Sequence, residues 1–392
     1  MSTQRIITLI IVGALIISAI VWLEGKKVHG VGSSVTTTPL ALTATASTSP
    51  TLSATDIAAI RAEKAKKYPP AVELVNPSGF VNTPDGAPIS IGQYIGKDVV
   101  MIDFMTYSCI NCQRTFPYLT AWYGKYKDQG LVIIGIHTPE FEFEKVYANV
   151  QKEMARYGIT FPVVLDNDYG TWNAYQNQYW PRKYMIDIDG YVVYDHIGEG
   201  EYVETEQEIK NLLQERDTRL GIPVPADLID SVSVSPSGTA GSIQTNSPET
   251  YFGANRNQYI GNGAQGKTGI QNFILPNSFA SNMFYFSGSW NVLGEYAQGQ
   301  SAGSGFVYPY TAKDVYVVAS ASTQVVAEVT LDGLPVPANL RGTDVYVNGG
   351  KTFVKIQDSR LYNLVTGTNM EAHTLRVMSQ SAGLEVFTLT FG

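Results

Sequence analysis

The longest apolar run in the chain comes first: Ile6 to Leu23, IITLIIVGALIISAIVWL, carries no charge. A helix of that length rises about 27 Å, close to the hydrocarbon thickness of a bilayer. A signal-peptide core is usually shorter, and no small-x-small cleavage site follows Trp22-Leu23-Glu24. Residues 1–27 therefore read as an uncleaved anchor helix with its flanks. Arg5 and the terminal amine face Lys26 and Lys27 across the run, so flanking charge does not orient it. Residues 28–68 read as a spacer. Gly30 to Asp56 is about half Ser and Thr without an apolar period, a composition that cannot bury a core. As a flexible coil it reaches roughly 30 Å. Thr55-Asp56 caps a short helix, IAAIRAEKAKK, that must stop before Pro69-Pro70.

Over residues 69–220 strands and helices alternate. Val99–Met105 (VVMIDFM) and Leu131–His137 (LVIIGIH) are nearly continuous apolar runs, as in strands buried on both faces. Between them, Cys109 to about Lys127 reads as a helix. Phe143, Val146, Val150 and Met154 fall on one face of a second helix ending near Gly158. Phe161–Leu165 is short and apolar. Arg182–Ile188 and Tyr191–His196 flank Asp189-Gly190, a hairpin signal, and Glu204–Gln214 closes the region as a helix. The pattern predicts an α/β sheet covered on both faces and ending in an antiparallel hairpin. A connector at 221–248 leads to an all-β region at 249–392. Its short strands are Val315–Ala319, Gln324–Leu331, Val345–Asn348, Thr352–Ile356, His373–Ser379 and Leu384–Phe391. Their spacing predicts a β-sandwich.

Composition narrows the partners. At 392 residues and 44% hydrophobic the chain is long enough for two cores, and a net charge of −8 argues against nucleic acid. Cys109 and Cys112, in TYSCINCQRTFP, are the only two cysteines. Zinc would need a second pair or two histidines, and His29, His137, His196 and His373 show no ligand spacing. A disulfide closing so short a loop removes little chain entropy, so a purely structural staple is a weak reading. Placement says more. The pair follows an apolar strand and opens a helix, whose free N–H groups favour a thiolate at Cys109. Cys112, one turn further in, is placed to resolve a mixed disulfide. The pair thus reads as a dithiol–disulfide exchanger whose redox-active disulfide, Cys109–Cys112, is its own cofactor. Peroxide chemistry is the competing reading: Thr106-x-x-Cys109 matches half of P-x-x-x-T-x-x-C, but Ile102 stands at the proline position.

The stretch DFMTYSCINCQRTFP resembles a thioredoxin active site, and residues 76–214 resemble the membrane-tethered thioredoxin-like proteins of the TlpA/ResA type. FMTYSCINCQR, GIHTPEFEFEKV, LDNDYGTWNAYQNQYWP and HIGEGEY resemble in particular the extracytoplasmic part of DipZ-type thiol-disulfide proteins of cytochrome c biogenesis. The resemblance implies a thioredoxin-like fold, a central mixed sheet flanked by helices. It implies that Asp103, six residues before Cys109, is a buried carboxylate assisting proton transfer at Cys112. Pro117 matches a helix-bending proline, and Pro181 the cis-proline facing the disulfide, which presents the backbone of Trp180 to substrate. The tryptophan usual before the first cysteine is Ser108 here, preceded by Tyr107, as in the DipZ-type pattern. The glutamate of the TlpA/ResA type, three residues after the second cysteine, is Thr115. Proton handling then falls to Asp103, His137 or Glu140. Trp180, Tyr107, His137 and Glu140 are the candidate substrate contacts, although His137 and Glu140 equally suit a helix start. The resemblance extends to the C-terminal region, implying a sandwich similar to carbohydrate-binding modules. Tyr259, Trp290, Tyr296, Tyr308 and Tyr310 there suit either sugar stacking or a core.

Together these readings describe a single-pass, extracytoplasmic thiol:disulfide oxidoreductase of the cell membrane. Its substrates would be protein thiols or disulfides in exported proteins such as apocytochrome c. One anchor in place of a membrane electron conduit implies a separate CcdA-like donor. The alternatives are a cell-surface carbohydrate-binding protein with an accessory redox domain, or a thiol peroxidase.

Overall fold

The computed structural model describes residues 53–234 and 245–392; the apolar run at 6–23 and most of the spacer lie outside them. Among the described residues no helix is long and apolar enough to cross a membrane. Helix α1 (Ala54–Lys67) starts two residues before the expected cap. Ser53 is the N-cap and forms a reciprocal capping box with Asp56. Lys64 and Arg61 then tie α1 to the following domain through Asp187 at 2.6 Å and Asp189 at 2.7 Å.

Strands β1 (Gly79–Val81), β2 (Val99–Met105), β3 (Leu131–His137), β4 (Val163–Leu165), β5 (Arg182–Ile186) and β6 (Val192–Ile197) form one sheet, ordered β1-β4-β3-β2-β5-β6. β2 and β3 are parallel, as are β3 and β4; β1, β5 and β6 run antiparallel to their neighbours. The bounds of β2 and β3 are those the apolar runs predict, and every residue of β2 is buried. Strand alternation sorts it between two cores. Val99, Met101 and Met105 join Cys112, Phe116 and Leu119 on one face; Val100, Ile102 and Phe104 join Ile134 and Tyr184 on the other. Asp103 shares the period of Met101 and Met105, which sends its carboxyl toward the cysteines.

Helix α2 (Ile110–Tyr126) follows β2, and a 3-10 turn at Glu142–Lys145 precedes α3 (Tyr147–Arg156). That turn breaks the helical period assumed across 143–154. Val146 becomes the N-cap of α3 and is 48% exposed, while Val150 and Met154 face the core as expected. After the short α4 (Gly170–Ala174), α5 (Tyr202–Leu220) is longer at both ends than Glu204–Gln214. Its bounds are set by left-handed residues, Glu201 and Gly221, not by its apolar face.

The C-terminal domain runs from β7 (Thr250–Tyr251) through β8 (Gly269–Phe273), β9 (Tyr285–Val292), β10 (Ala297–Gly299), β11 (Gly305–Ser320), β12 (Val325–Leu331), β13 (Leu334–Pro335), β14 (Val345–Asn348), β15 (Lys351–Ile356) and β16 (Arg360–Ser379) to β17 (Glu385–Phe391). All eleven belong to one hydrogen-bonded sheet, where two stacked sheets were expected. The reason is the long antiparallel pair of β11 and β16, which bulges between Ala312 and Asp314. One arm of β11 pairs with β9 and the other with β17, while β10 joins β9 to β17, so these four strands close a circuit. The segments expected at 315–319 and 373–379 are therefore ends of long strands whose bulges interrupt the two-residue period. Trp290, Tyr308 and Tyr310 are buried in the core of this domain, with Tyr259 packed against it. Their faces are not free for sugar.

The two domains share an apolar interface. Ile110 and Phe141 pack with Tyr316, Val318, Leu361 and Phe387, and Tyr296 lies at the margin. Phe387 meets Phe141 and Phe143 edge-on, with centroids 5.2 and 4.8 Å apart. Ile110 is the residue next to Cys109, so the interface reaches the cysteine pair itself.

Candidate active site

Cys109 is the N-cap of α2, in extended conformation with φ −76° and ψ 120°. It is partly exposed, whereas Cys112 in the first turn is fully buried; both are free thiols. This asymmetry follows from the helix start: the residue before the helix faces outward, and three positions on the chain turns into the core beside β2. The Cys109 thiol points at the Trp180 carbonyl, 4.0 Å away. The Trp180–Pro181 peptide bond is cis. The Trp180 indole donates to the Thr138 carbonyl at 3.1 Å and packs on Trp172, which fixes the loop facing the cysteines. Pro117 lies inside α2.

Beneath the pair sit two buried charged groups. Asp103 and Lys183 are opposite residues of the antiparallel strands β2 and β5, and neither has solvent exposure. Burial pushes the Asp103 carboxyl up to about 7, with the Lys183 charge opposing the shift. Burial likewise lowers Lys183, against the pull of Asp103 and Cys112. Lys183 Nζ also donates to the Gly198 carbonyl at 3.4 Å. Burial raises the Cys112 thiol well above its usual range, reinforced by Cys109 and Asp103. Cys112 thus needs a base before it can attack, and Asp103 is the carboxylate close enough to influence it.

A third buried acid holds the loop before Cys109. Glu144 accepts hydrogen bonds from Ser108 Oγ at 2.6 Å and Ser108 N at 3.3 Å. It also accepts from the backbone N–H groups of Glu140 at 2.6 Å and Phe141 at 3.0 Å. Burial drives its carboxyl up to about 7, and the Ser108 bond offsets part of that shift. Glu144 was absent from the sequence-based candidates, although GIHTPEFEFEKV contains it. The available signal was its place three residues after Phe141, from where its carboxylate accepts from the Phe141 N–H at the start of the 3-10 turn.

The expected substrate contacts divide. Trp180 and Glu140 line a cavity with Ser108 and Cys109. Tyr107 and His137 do not: both are fully buried and stack on each other, centroids 5.4 Å apart. A substrate at Cys109 has no path to either ring. The Tyr107 N–H donates to His137 Nε2 at 3.4 Å, and burial lowers this imidazole to about 3, so it stays neutral. Apolar flanks in LVIIGIH place His137 as a strand residue of the interior, which overrides its chemistry.

The cavity at Cys109 measures about 260 Å³, and its far wall is the C-terminal domain: Glu249, Tyr251, Arg256, Val318, Thr388 and Thr390. Glu140 Oε1 bridges the domains, accepting from Tyr251 Oη and from an Arg256 guanidinium nitrogen, each at 2.8 Å.

Comparison with known proteins agrees with this architecture. Residues 64–213 match the Redoxin family, and residues 247–392 match the family described as Thioredoxin like C-terminal domain. Protein DipZ of Mycobacterium tuberculosis is 37% identical over 322 residues, which make up 82% of this chain and 43% of DipZ. The thiol-disulfide oxidoreductase ResA of Halalkalibacterium halodurans is 33% identical over 114 residues, covering 29% of this chain and 61% of ResA. Thiol-disulfide oxidoreductase YkuV of Bacillus subtilis is 26% identical over 148 residues, covering 38% of this chain and 97% of YkuV. The chain spans less than half the length of DipZ. The cysteine pair thus lies in the region that matches the Redoxin family, and the region behind it matches the Thioredoxin like C-terminal domain family.

Proposed function

We propose that the protein is a membrane-anchored, extracytoplasmic thiol:disulfide oxidoreductase working through Cys109 and Cys112. The observation that carries this is the division of labour in the pair: an accessible cysteine at the helix start and a shielded one behind it, above a carboxyl raised to about 7. The Cys109 thiolate attacks one sulfur of a substrate disulfide, breaking the S–S bond and releasing one substrate thiolate. Asp103 then takes the Cys112 proton, and the resulting thiolate attacks the Cys109 sulfur. The second substrate thiol leaves and the Cys109–Cys112 disulfide forms, so two electrons have passed from the pair to the substrate.

The anchor rests on the uncharged run Ile6–Leu23. An oxidising exterior would leave the pair as a disulfide unless a membrane dithiol donor rereduced it. We assign that role to a CcdA-like membrane donor, with exported proteins such as apocytochrome c as substrates. Burial withdraws the rings of Trp290, Tyr308 and Tyr310 from a carbohydrate-binding reading, and Ile102 disfavours a peroxidase.

Cys112→Ser removes the resolving thiol and is expected to accumulate substrates on Cys109 as adducts released by dithiothreitol. The double variant with Cys109→Ser should hold none. Should Cys112→Ser form no releasable adducts in cells, thiol–disulfide exchange at this site is wrong.

A further inference from the structure

The C-terminal domain supplies half of the lining around Cys109, and that half carries charge. Arg256 lies flat on the Tyr251 ring, 3.5 Å from its centroid, and its guanidinium is engaged by Glu140. Glu140 is therefore matched by one cation and one hydroxyl. Glu249 shares the same cavity without a cation of its own among the lining residues. Glu249 is exposed as a residue, while protein crowds its carboxyl from the cavity side. That enclosure and the charge of Glu140 hold the carboxyl up at about 7, with Tyr251 and Arg256 opposing. Two carboxylates against one guanidinium leave the mouth of the site short of one positive charge. A cation arriving there with the substrate would restore neutrality at a partly solvated mouth, where an ion pair keeps a modest strength.

Size points the same way. About 260 Å³ lies just below the range of small-molecule pockets, roughly 300–1,000 Å³. It accommodates one or two side chains of a chain segment, not the surface of a folded domain. The floor is uncharged, formed by Val318, Thr388 and Thr390. A cysteine reaching Cys109 through this cleft shares the cavity with Glu249.

We propose that the cleft selects cysteine-containing segments with a lysine or arginine beside the reacting cysteine, and that Glu249 of the C-terminal domain receives that cation. The inference rests on the thiol–disulfide exchange assigned to Cys109. It gives the C-terminal domain a task at the redox centre as the specificity wall of the site.

Three peptide disulfides differing only in the residue next to cysteine (Lys, Gln or Glu) are reduced by the full-length protein at pH 8 and low ionic strength. The Lys peptide should react about fivefold faster than the Gln peptide and the Glu peptide slower still, the size expected of one partly shielded ion pair. Glu249→Gln should bring the Lys to Gln ratio to about one, and Glu249→Asp should keep most of it. Glu63→Gln removes an equal charge from exposed α1 and should leave the ratio as in the wild type. Equal rates for all three peptides, or a ratio lowered as much by Glu63→Gln as by Glu249→Gln, would overturn the inference while leaving exchange at Cys109 standing. No reaction with any peptide would instead remove the exchange reading, and this inference with it.

Discussion

Replacing Asp103 with Asn is expected to slow resolution of the mixed disulfide about 100-fold at pH 8, the usual size of a lost general base. The same change should make the folded protein more stable. Cys112 is buried, and its thiol is raised by that burial, so it does not ionise unaided near neutral pH. Asp103 shares its face of β2 with the core around Cys112, and its carboxyl titrates at about 7. In the wild type, resolution should therefore rise with pH through about 7, as Asp103 gains the capacity to accept a proton. Asn has no such step.

The stability effect follows from linkage. A carboxyl whose folded value is raised from 3.8 to about 7 favours the folded state fully only below 3.8. That contribution is lost as pH climbs through 7, because the unfolded chain ionises freely and the buried site does not. Such a shift corresponds to about 4 kcal/mol above pH 8. Asn keeps the neutral form at every pH. The opposing charge of Lys183 is already contained in the value of about 7, so the full shift of about 4 kcal/mol separates the two proteins above pH 8. Denaturant unfolding of both proteins at pH 4 and pH 8 reads this directly: the curves should nearly coincide at pH 4 and separate at pH 8. An Asn variant that resolves as fast as the wild type would remove Asp103 from the proton path.

Glu144→Ala should be the most destabilising single change near the site, by about 3 kcal/mol at pH 7. Four donors converge on this carboxylate: Ser108 Oγ, Ser108 N, Glu140 N and Phe141 N. Alanine leaves them buried without an acceptor. Glu144 touches no substrate; it positions the loop that carries Cys109. Gln keeps one carbonyl acceptor, so Glu144→Gln should recover part of the stability and of the exchange rate, where a solely electrostatic role would give no recovery. Thermal unfolding and peptide-disulfide reduction for the three proteins, run side by side, check this. Equal stability of Glu144→Ala and wild type would mean the loop is held by other contacts.

Much of this site could be read from the chain because its signals are local. Two apolar runs marked β2 and β3 to the residue, and the position of Cys109 between a strand and a helix separated it from Cys112 before any coordinates. Asp103 was visible as a charge inside VVMIDFM. Its partner was not: Lys183 sits 80 positions later, in RKYMI, and only the antiparallel register of β2 with β5 brings it opposite. The usable clue was that a charge in a fully buried strand requires a partner of opposite sign. Tyr107 and His137 were misread for the opposite reason. Chemistry suggested a site, while their apolar neighbours had already committed them to the interior. The wall formed by Glu249, Tyr251 and Arg256 was beyond local reading, since it depends on how two regions distant in the chain pack through Phe141, Phe143 and Phe387. The bulges in β11 and β16 hid long strands in the same way, by breaking the period that would have revealed them.

The central claim is that Cys109 and Cys112 act as one two-electron couple. Equilibrating the full-length protein in a graded series of dithiothreitol buffers, then counting alkylatable thiols, tests it most directly. Both thiols should appear together in a single transition, and Cys112→Ser should abolish it. Two thiols alkylated independently at every potential, or one thiol lost to peroxide while the other stays free, would contradict it.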